Sequence, residues 1–173
     1  KSTAYHEAVP GHHFQIAYQQ ESTELPRYRK LGVFGFNSAY TEGWALYAER
    51  LAAENGWYDG DLPGKLGYLN LQLFRARRLV ADTGLHNLKW TRQQVIDYGF
   101  TPAETERYIV WPGQACSYMI GQLRILELRE KAKAALGPKF SIKEFHNLIL
   151  RGGSMPLDVL ALEVDHWIAA AGK

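Results

Sequence analysis

Tyr5-His6-Glu7-Ala8-Val9-Pro10-Gly11-His12-His13 is the stretch on which the reading of this chain turns. Three imidazoles, one carboxylate and a Pro-Gly pair fall within eight residues, a density that sets it apart from a solvated surface helix. In a straight helix His12 stands six residues after His6, about 9 Å along the axis and about 600° around it, well off the same face. Pro10 lacks an N–H and clashes with the carbonyl four residues back, at His6. It also pushes Val9 out of helical geometry, and Gly11 accepts unusual backbone angles. The helix is therefore predicted to widen or break between Ala8 and Gly11. A loop-out of two residues restores a four-residue relation between His6 and His12.

A His followed at once by a Glu opens the HExxH zinc helix, where a second His four residues on shares the ion and the Glu takes a proton from water. By that logic His6 and His12 are metal ligands and Glu7 is the general base. His13 is the rival ligand: it shares a face with His6 but lies about 10 Å along the axis, too far for two Zn–N bonds of about 2 Å. It is assigned to a supporting or substrate-binding place.

Outward from this stretch the chain reads as helices. The first runs from Thr3 to Glu21, broken at Pro10-Gly11, with Phe14, Ala17 and Tyr18 as its buried stripe. A connection over 22–36 is rich in basic and aromatic residues, Phe34 among them, and is read as a loop. The second helix starts at Asn37 or Ser38 and ends at Asn55-Gly56. On it Glu42 and Glu49, seven apart, share a face. Trp44, Tyr47, Ala48 and Leu51 mark an apolar one, and Gly43 invites a close backbone. A third helix runs from Pro63 to Asp82, capped by Asp61, with Leu66, Leu69, Leu73 and Leu79 as core. Thr83-Gly84-Leu85 is read as its end, leaving His86 in a turn.

Shorter helices follow from Thr91 and Thr101, each opening a capping box. Gly113 then opens a long helix, Gln114 to Leu136, closed by Gly137-Pro138. The last two are Ser141 to Arg151 and Pro156 to Ala170. On the long helix Tyr118 is the candidate donor for an oxyanion, and Arg124 is a candidate for a substrate carboxylate. His146 and His166 have no partner at ligand spacing and are read as structural.

The 173 residues are 46% hydrophobic and 22% charged, with net charge +2. This is ordinary for a globular domain and too weak a charge to call for nucleic acid. No apolar run reaches the length of a membrane span. The single Cys116 excludes an internal disulfide.

His6-Glu7-Ala8-Val9-Pro10-Gly11-His12-His13 together with Thr41-Glu42-Gly43-Trp44 resembles a bacterial family labelled domain of unknown function 885. That family is itself similar to the HExxH zincin peptidases. The resemblance continues through residues 78–86, 111–115, Tyr118 and 153–157, nearly the whole chain, and corresponds to the C-terminal part of longer family members. It implies Glu42, thirty-six residues after His6, as the third ligand of a His-His-Glu zinc site. It also implies an inward Arg78 or Asp82 bracing the acids of the second helix, and His86 as a hydrogen-bond donor in the site.

The expectation is an all-α, zincin-like metallopeptidase region of about seven or eight helices. It is read as one helical domain over residues 1–173, part of a larger catalytic domain whose N-terminal portion is a partner of this one. The expected cofactor is one zinc ion and the expected substrate a peptide or small amide. The competing classes are a zinc hydrolase of a non-peptide amide, a metal-free helical binding module, and a zinc site closed by four protein ligands.

Overall fold

The computed structural model describes residues 1–33 and 35–171; Phe34 of the connection lies outside them. The described residues are all-helical, without a strand. The helices are α1 (Ser2–Glu7), α2 (His12–Glu21), α3 (Arg27–Lys30), α4 (Ser38–Glu54), α5 (Leu62–His86), α6 (Arg92–Asp97), α7 (Pro102–Val110), α8 (Gln114–Leu136), α9 (Ile142–Arg151) and α10 (Leu157–Ala171). Besides a single 3-10 turn at Gly137–Lys139, these ten α-helices among the described residues exceed the expected seven or eight for two reasons. The first helix divides at Pro10-Gly11, and one helical turn, α3, forms inside the connection. No helix among the described residues is long and apolar enough to cross a membrane.

Starts are set locally. Asn37, Asp61, Thr91, Thr101 and Ser141 each accept a hydrogen bond from the backbone N–H three residues on, filling a donor the helix leaves orphaned. The architecture is organised on the packing of α4 against α8. The two cross where glycine faces glycine: a Cβ on Gly43 would stand 2.5 Å from the Cα of Gly121. Below the crossing, Tyr40, Trp44 and Tyr47 of α4 pack with Ile125 and Leu128 of α8 and with Phe145 and Leu160 from α9 and α10. The Tyr40 hydroxyl, fully buried, donates to the Ile149 carbonyl at 2.7 Å. A second cluster, Ala81, Val95, Phe100 and Tyr108, joins α5 to α6 and α7.

Two helices present a different side to the core from the one their apolar residues suggest. On α5, Leu66, Leu69 and Leu73 are exposed and Leu79 is half-buried, whereas Arg75, Arg78 and Asp82 are buried. Each inward polar group has a partner on a neighbouring helix, and that pairing turns the leucines outward. On α2, Phe14 and Tyr18 are exposed and Ala17 is half-buried, while Gln15 and Gln19 are buried. Gln19 donates to the Arg29 carbonyl and accepts from the Ser154 N–H, tying α2 to α3 and to the turn before α10. The expected end of α5 at Thr83-Gly84 is also overturned. Trp90 packs flat on Gly84, where a Cβ would lie 2.6 Å from the indole, so the glycine serves that close approach and the helix runs on to His86.

Candidate metal centre

The break in the first motif decides its geometry. α1 stops at Glu7, the Val9–Pro10 bond is cis, and α2 restarts at His12. Gly11 lies directly on the carbonyl of His6; a Cβ there would overlap that oxygen and stand 2.5 Å from its carbon. The glycine is needed for this close approach, since its φ of −77° lies outside the left-handed region. Trp44 Nε1 donates to the Pro10 carbonyl at 2.9 Å and pins the turn to α4.

The turn brings the two imidazoles together, edge to face, with ring centroids 4.8 Å apart. His6 Nε2 lies 3.4 Å and His12 Nε2 3.1 Å from the same oxygen, Oε2 of Glu42. Donor atoms about 2.0–2.1 Å from one tetrahedral ion stand about 3.3 Å from each other, which is close to the spacing of each imidazole nitrogen from Glu42 Oε2. Glu7 is exposed, and its carboxylate lies within 4.8 Å of ligand atoms on both histidines. Glu42 stands within 3.4 Å of both and its side chain is mostly buried, whereas Glu7 is on the exposed side. His13 points to solvent outside this group.

Behind the imidazoles stands Glu49, fully buried. Its Oε1 meets His6 Nδ1 at 2.7 Å, the Ser2 hydroxyl donates to its other oxygen, and Arg75 Nη2 lies 3.7 Å away. A carboxylate on Nδ1 places the proton there and aims Nε2 at the site. Burial alone would lower the His6 pKa, but the hydrogen bonds to Glu42 and Glu49 outweigh it and leave it raised. Burial likewise pushes the Glu42 carboxyl up. Hydrogen bonds from His12, His6 and Tyr118 overcome that and hold it at about 2, so it is ionised.

Tyr118, buried on α8, stacks its ring on His6 at 6.0 Å and hydrogen-bonds Glu42. Its oxygen accepts from Arg107 Nη2 at 3.2 Å. Arg107, on α7, also donates to Gln114 Oε1 at 2.7 Å, and Gln114 Nε2 reaches Glu42 Oε1 at 3.4 Å. Sequence reasoning passed over Arg107, because nothing local marks a residue whose partners lie on the next helix. Glu49 had a signal, its shared face with Glu42.

The brace for the acids of α4, expected at Arg78 or Asp82, is Arg75, whose Nη2 lies 3.7 Å from Glu49 Oε1. Arg78 instead donates to the Tyr108 hydroxyl and pairs with Glu104 at 2.9 Å. Asp82 accepts from the Gly113 N–H with both oxygens and hydrogen-bonds the Cys116 thiol, holding the start of α8. His86 is bonded through Nε2 to the Tyr108 carbonyl at 2.9 Å, and Arg124 forms a surface pair with Glu127. His146 bonds Tyr47.

Comparison with known proteins adds ancestry. A family profile described as "Bacterial protein of unknown function (DUF885)" matches residues 1–164. A crystal structure of a candidate lipoprotein from Colwellia psychrerythraea superposes with a TM-score of 0.91 at 50% identity, covering 98% of this chain and 30% of that one. A candidate lipoprotein of unknown function from Shewanella oneidensis superposes at 0.79 and 29% identity, covering 93% and 30%. The chain thus spans under a third of either relative. No curated protein matches it.

Proposed function

The chain belongs to DUF885, a bacterial family of unknown function, and from that premise we propose that it carries the site of a zinc-dependent, zincin-like metallopeptidase. The observation that supports this reading is the meeting of His6 Nε2 and His12 Nε2 on Glu42 Oε2, with the Glu7 carboxylate alongside. Two imidazoles and one carboxylate, with a fourth position open, are the donor set of a hydrolytic zinc site. A zinc ion held there supplies a Lewis acid for a carbonyl oxygen and acidifies water.

The chain's own residues supply the rest. Glu7, on the open side, takes the proton of the attacking water and returns it to the leaving amine. Glu49 keeps His6 in one tautomer and one orientation. Tyr118, with Arg107 donating to its oxygen, is the hydroxyl beside the site that meets the developing oxyanion. His13, exposed at the start of α2, is the residue we assign to substrate contact.

The test replaces Glu7 by Gln in the intact protein and measures zinc and peptide turnover on the same samples. Zinc should stay near one per chain while turnover falls by about a hundredfold or more. Near-normal hydrolysis would place the base elsewhere and end the zincin assignment. Full zinc retention in His12→Ala with loss in His13→Ala would overturn the ligand set.

A further inference from the structure

A second concavity lies apart from the candidate metal centre. It is a cavity of about 780 Å³ between α2, α4, α8 and α9, within the roughly 300–1,000 Å³ of small-molecule sites. None of His6, Glu7, His12 or Glu42 lines it; the Pro10 turn, held by Trp44, stands between.

One wall is aromatic. Phe14, Tyr18 and Trp57 line it and are exposed, and Trp44 and Phe140 complete it. Beside it, with the His146 ring packed on Trp44, runs a polar strip on α9 where Lys143, His146 and Asn147 are spaced to share one face. The tautomer of His146 follows from its partners. Arg129 Nη1 donates to the Tyr47 oxygen at 3.1 Å, and among the described residues His146 Nε2, at 2.8 Å, is the acceptor left for the fully buried Tyr47 hydroxyl hydrogen. The imidazole hydrogen is then on Nδ1. Among the described residues Nδ1 has no hydrogen-bond partner, and it is not one of the sealed, unpartnered atoms.

Charge points the same way. Glu54 is paired with Arg50 and Arg129, and Glu130 with Arg129 and Lys133. Among the described residues Lys143 has no acidic partner, so the cavity carries one unmatched cation a single helical turn from a free N–H donor.

We propose that this cavity binds a monoanionic amphiphile, a long-chain carboxylate, with its head group on Lys143 and the His146 Nδ1–H and its chain along the aromatic wall. Burial first, then Arg129, lowers the His146 pKa to about 4, which keeps the ring a neutral donor at pH 7. The site is independent of metal and of peptidase activity.

The experiment titrates the intact protein, with and without prior chelator treatment, with dodecanoate below its micelle concentration. Calorimetry and tryptophan fluorescence follow binding, with a brominated analogue as quencher of Trp44 and Trp57. One saturable site per chain is expected in both preparations. Lys143→Gln should weaken it about tenfold, as expected for a lost charge-assisted bond, and dodecanol should bind weaker than dodecanoate by a similar factor. Lys65→Gln, on the exposed side of α5, should leave binding unchanged. Absence of saturable binding, equal affinity for dodecanol, or an unaffected Lys143→Gln would each overturn the proposal.

Discussion

Gly121→Ala adds a single methyl group where α8 crosses α4. On the present backbone the new Cβ would sit 2.6 Å from the Cα of Gly43 and closer still to the carbonyl oxygen of Ala39. Both neighbours are main chain, so neither can rotate aside. Comfortable contact begins at about 3.3–3.5 Å, so the helices must part by about 1–1.5 Å at their tightest point. In an open helix the same change would stabilise by about 0.8–1 kcal/mol. Here overpacking of about 1–3 kcal/mol or more acts on the interface around which the fold is built, and we expect a net loss of about 2 kcal/mol. Gly67→Ala is the internal control: it is exposed on α5 with nothing within 4 Å and should gain up to about 1 kcal/mol. Urea unfolding followed by far-ultraviolet dichroism reads both. With a slope of about 2 kcal/mol per molar, the Gly121→Ala midpoint should fall by about 1 M. If Gly121→Ala unfolds at or above the wild-type midpoint, the close crossing is not what sets the helix spacing.

Glu49→Gln keeps the volume but removes the carboxylate on His6 Nδ1, and zinc affinity measured against a chromogenic chelator should drop about 10–100-fold with helix content unchanged. An unaltered affinity would deny Glu49 its orienting part. Gly11→Ala forces the His6 carbonyl and the start of α2 apart, so zinc content should fall and the thermal midpoint with it; a variant that binds zinc normally would refute the close-approach argument. The pH dependence rests on His146, whose folded pKa of about 4 lies below its ordinary 6.5. Between these values the unfolded chain binds the extra proton, so the contribution to stability is whole above about 6.5 and is lost as pH falls toward 4. Because the ring is partly open to solvent, that loss is about 1–2 kcal/mol. His146→Gln should flatten the change in urea midpoint between pH 7.5 and 4.5, and an equal slope in both proteins would assign the acid sensitivity elsewhere.

Helix starts were legible because capping is local. Asn37, Asp61, Thr91, Thr101 and Ser141 each needed only a residue three positions on, and the break at Pro10-Gly11 needed only the chemistry of those two residues. The inward faces of α2 and α5 were not legible in their apolar residues, although the family resemblance implied an inward Arg78 or Asp82 on α5. Which side of a helix is buried depends on what the opposite helix offers, and Glu49, Glu104 and Gly113 offered partners to arginines and an aspartate. Gly84 misled for the same reason, because its purpose is set by Trp90, which packs on it from beyond the helix end. At the site, the pairing of His6 with His12 followed from motif spacing, Glu42 came from the family resemblance, and the heptad step on α4 put Glu49 on the face of Glu42 without assigning it a role. Arg107 and Gln114 are visible only once α7 and α8 are seen to converge on Tyr118.

The thiol tied to Asp82 has a practical side. Cys116 is buried, and burial first, then the carboxylate, raises its pKa to about 11. At neutral pH the reactive thiolate is then only about one part in ten thousand. As this is the chain's one cysteine, it forms a silent background for site-directed labelling. A cysteine introduced at Lys65 or Lys143, both exposed, should take a maleimide spin label or dye at ordinary speed while the native thiol stays unmodified. Distances between α5 and α9 can then be measured by spin resonance without first removing the native residue.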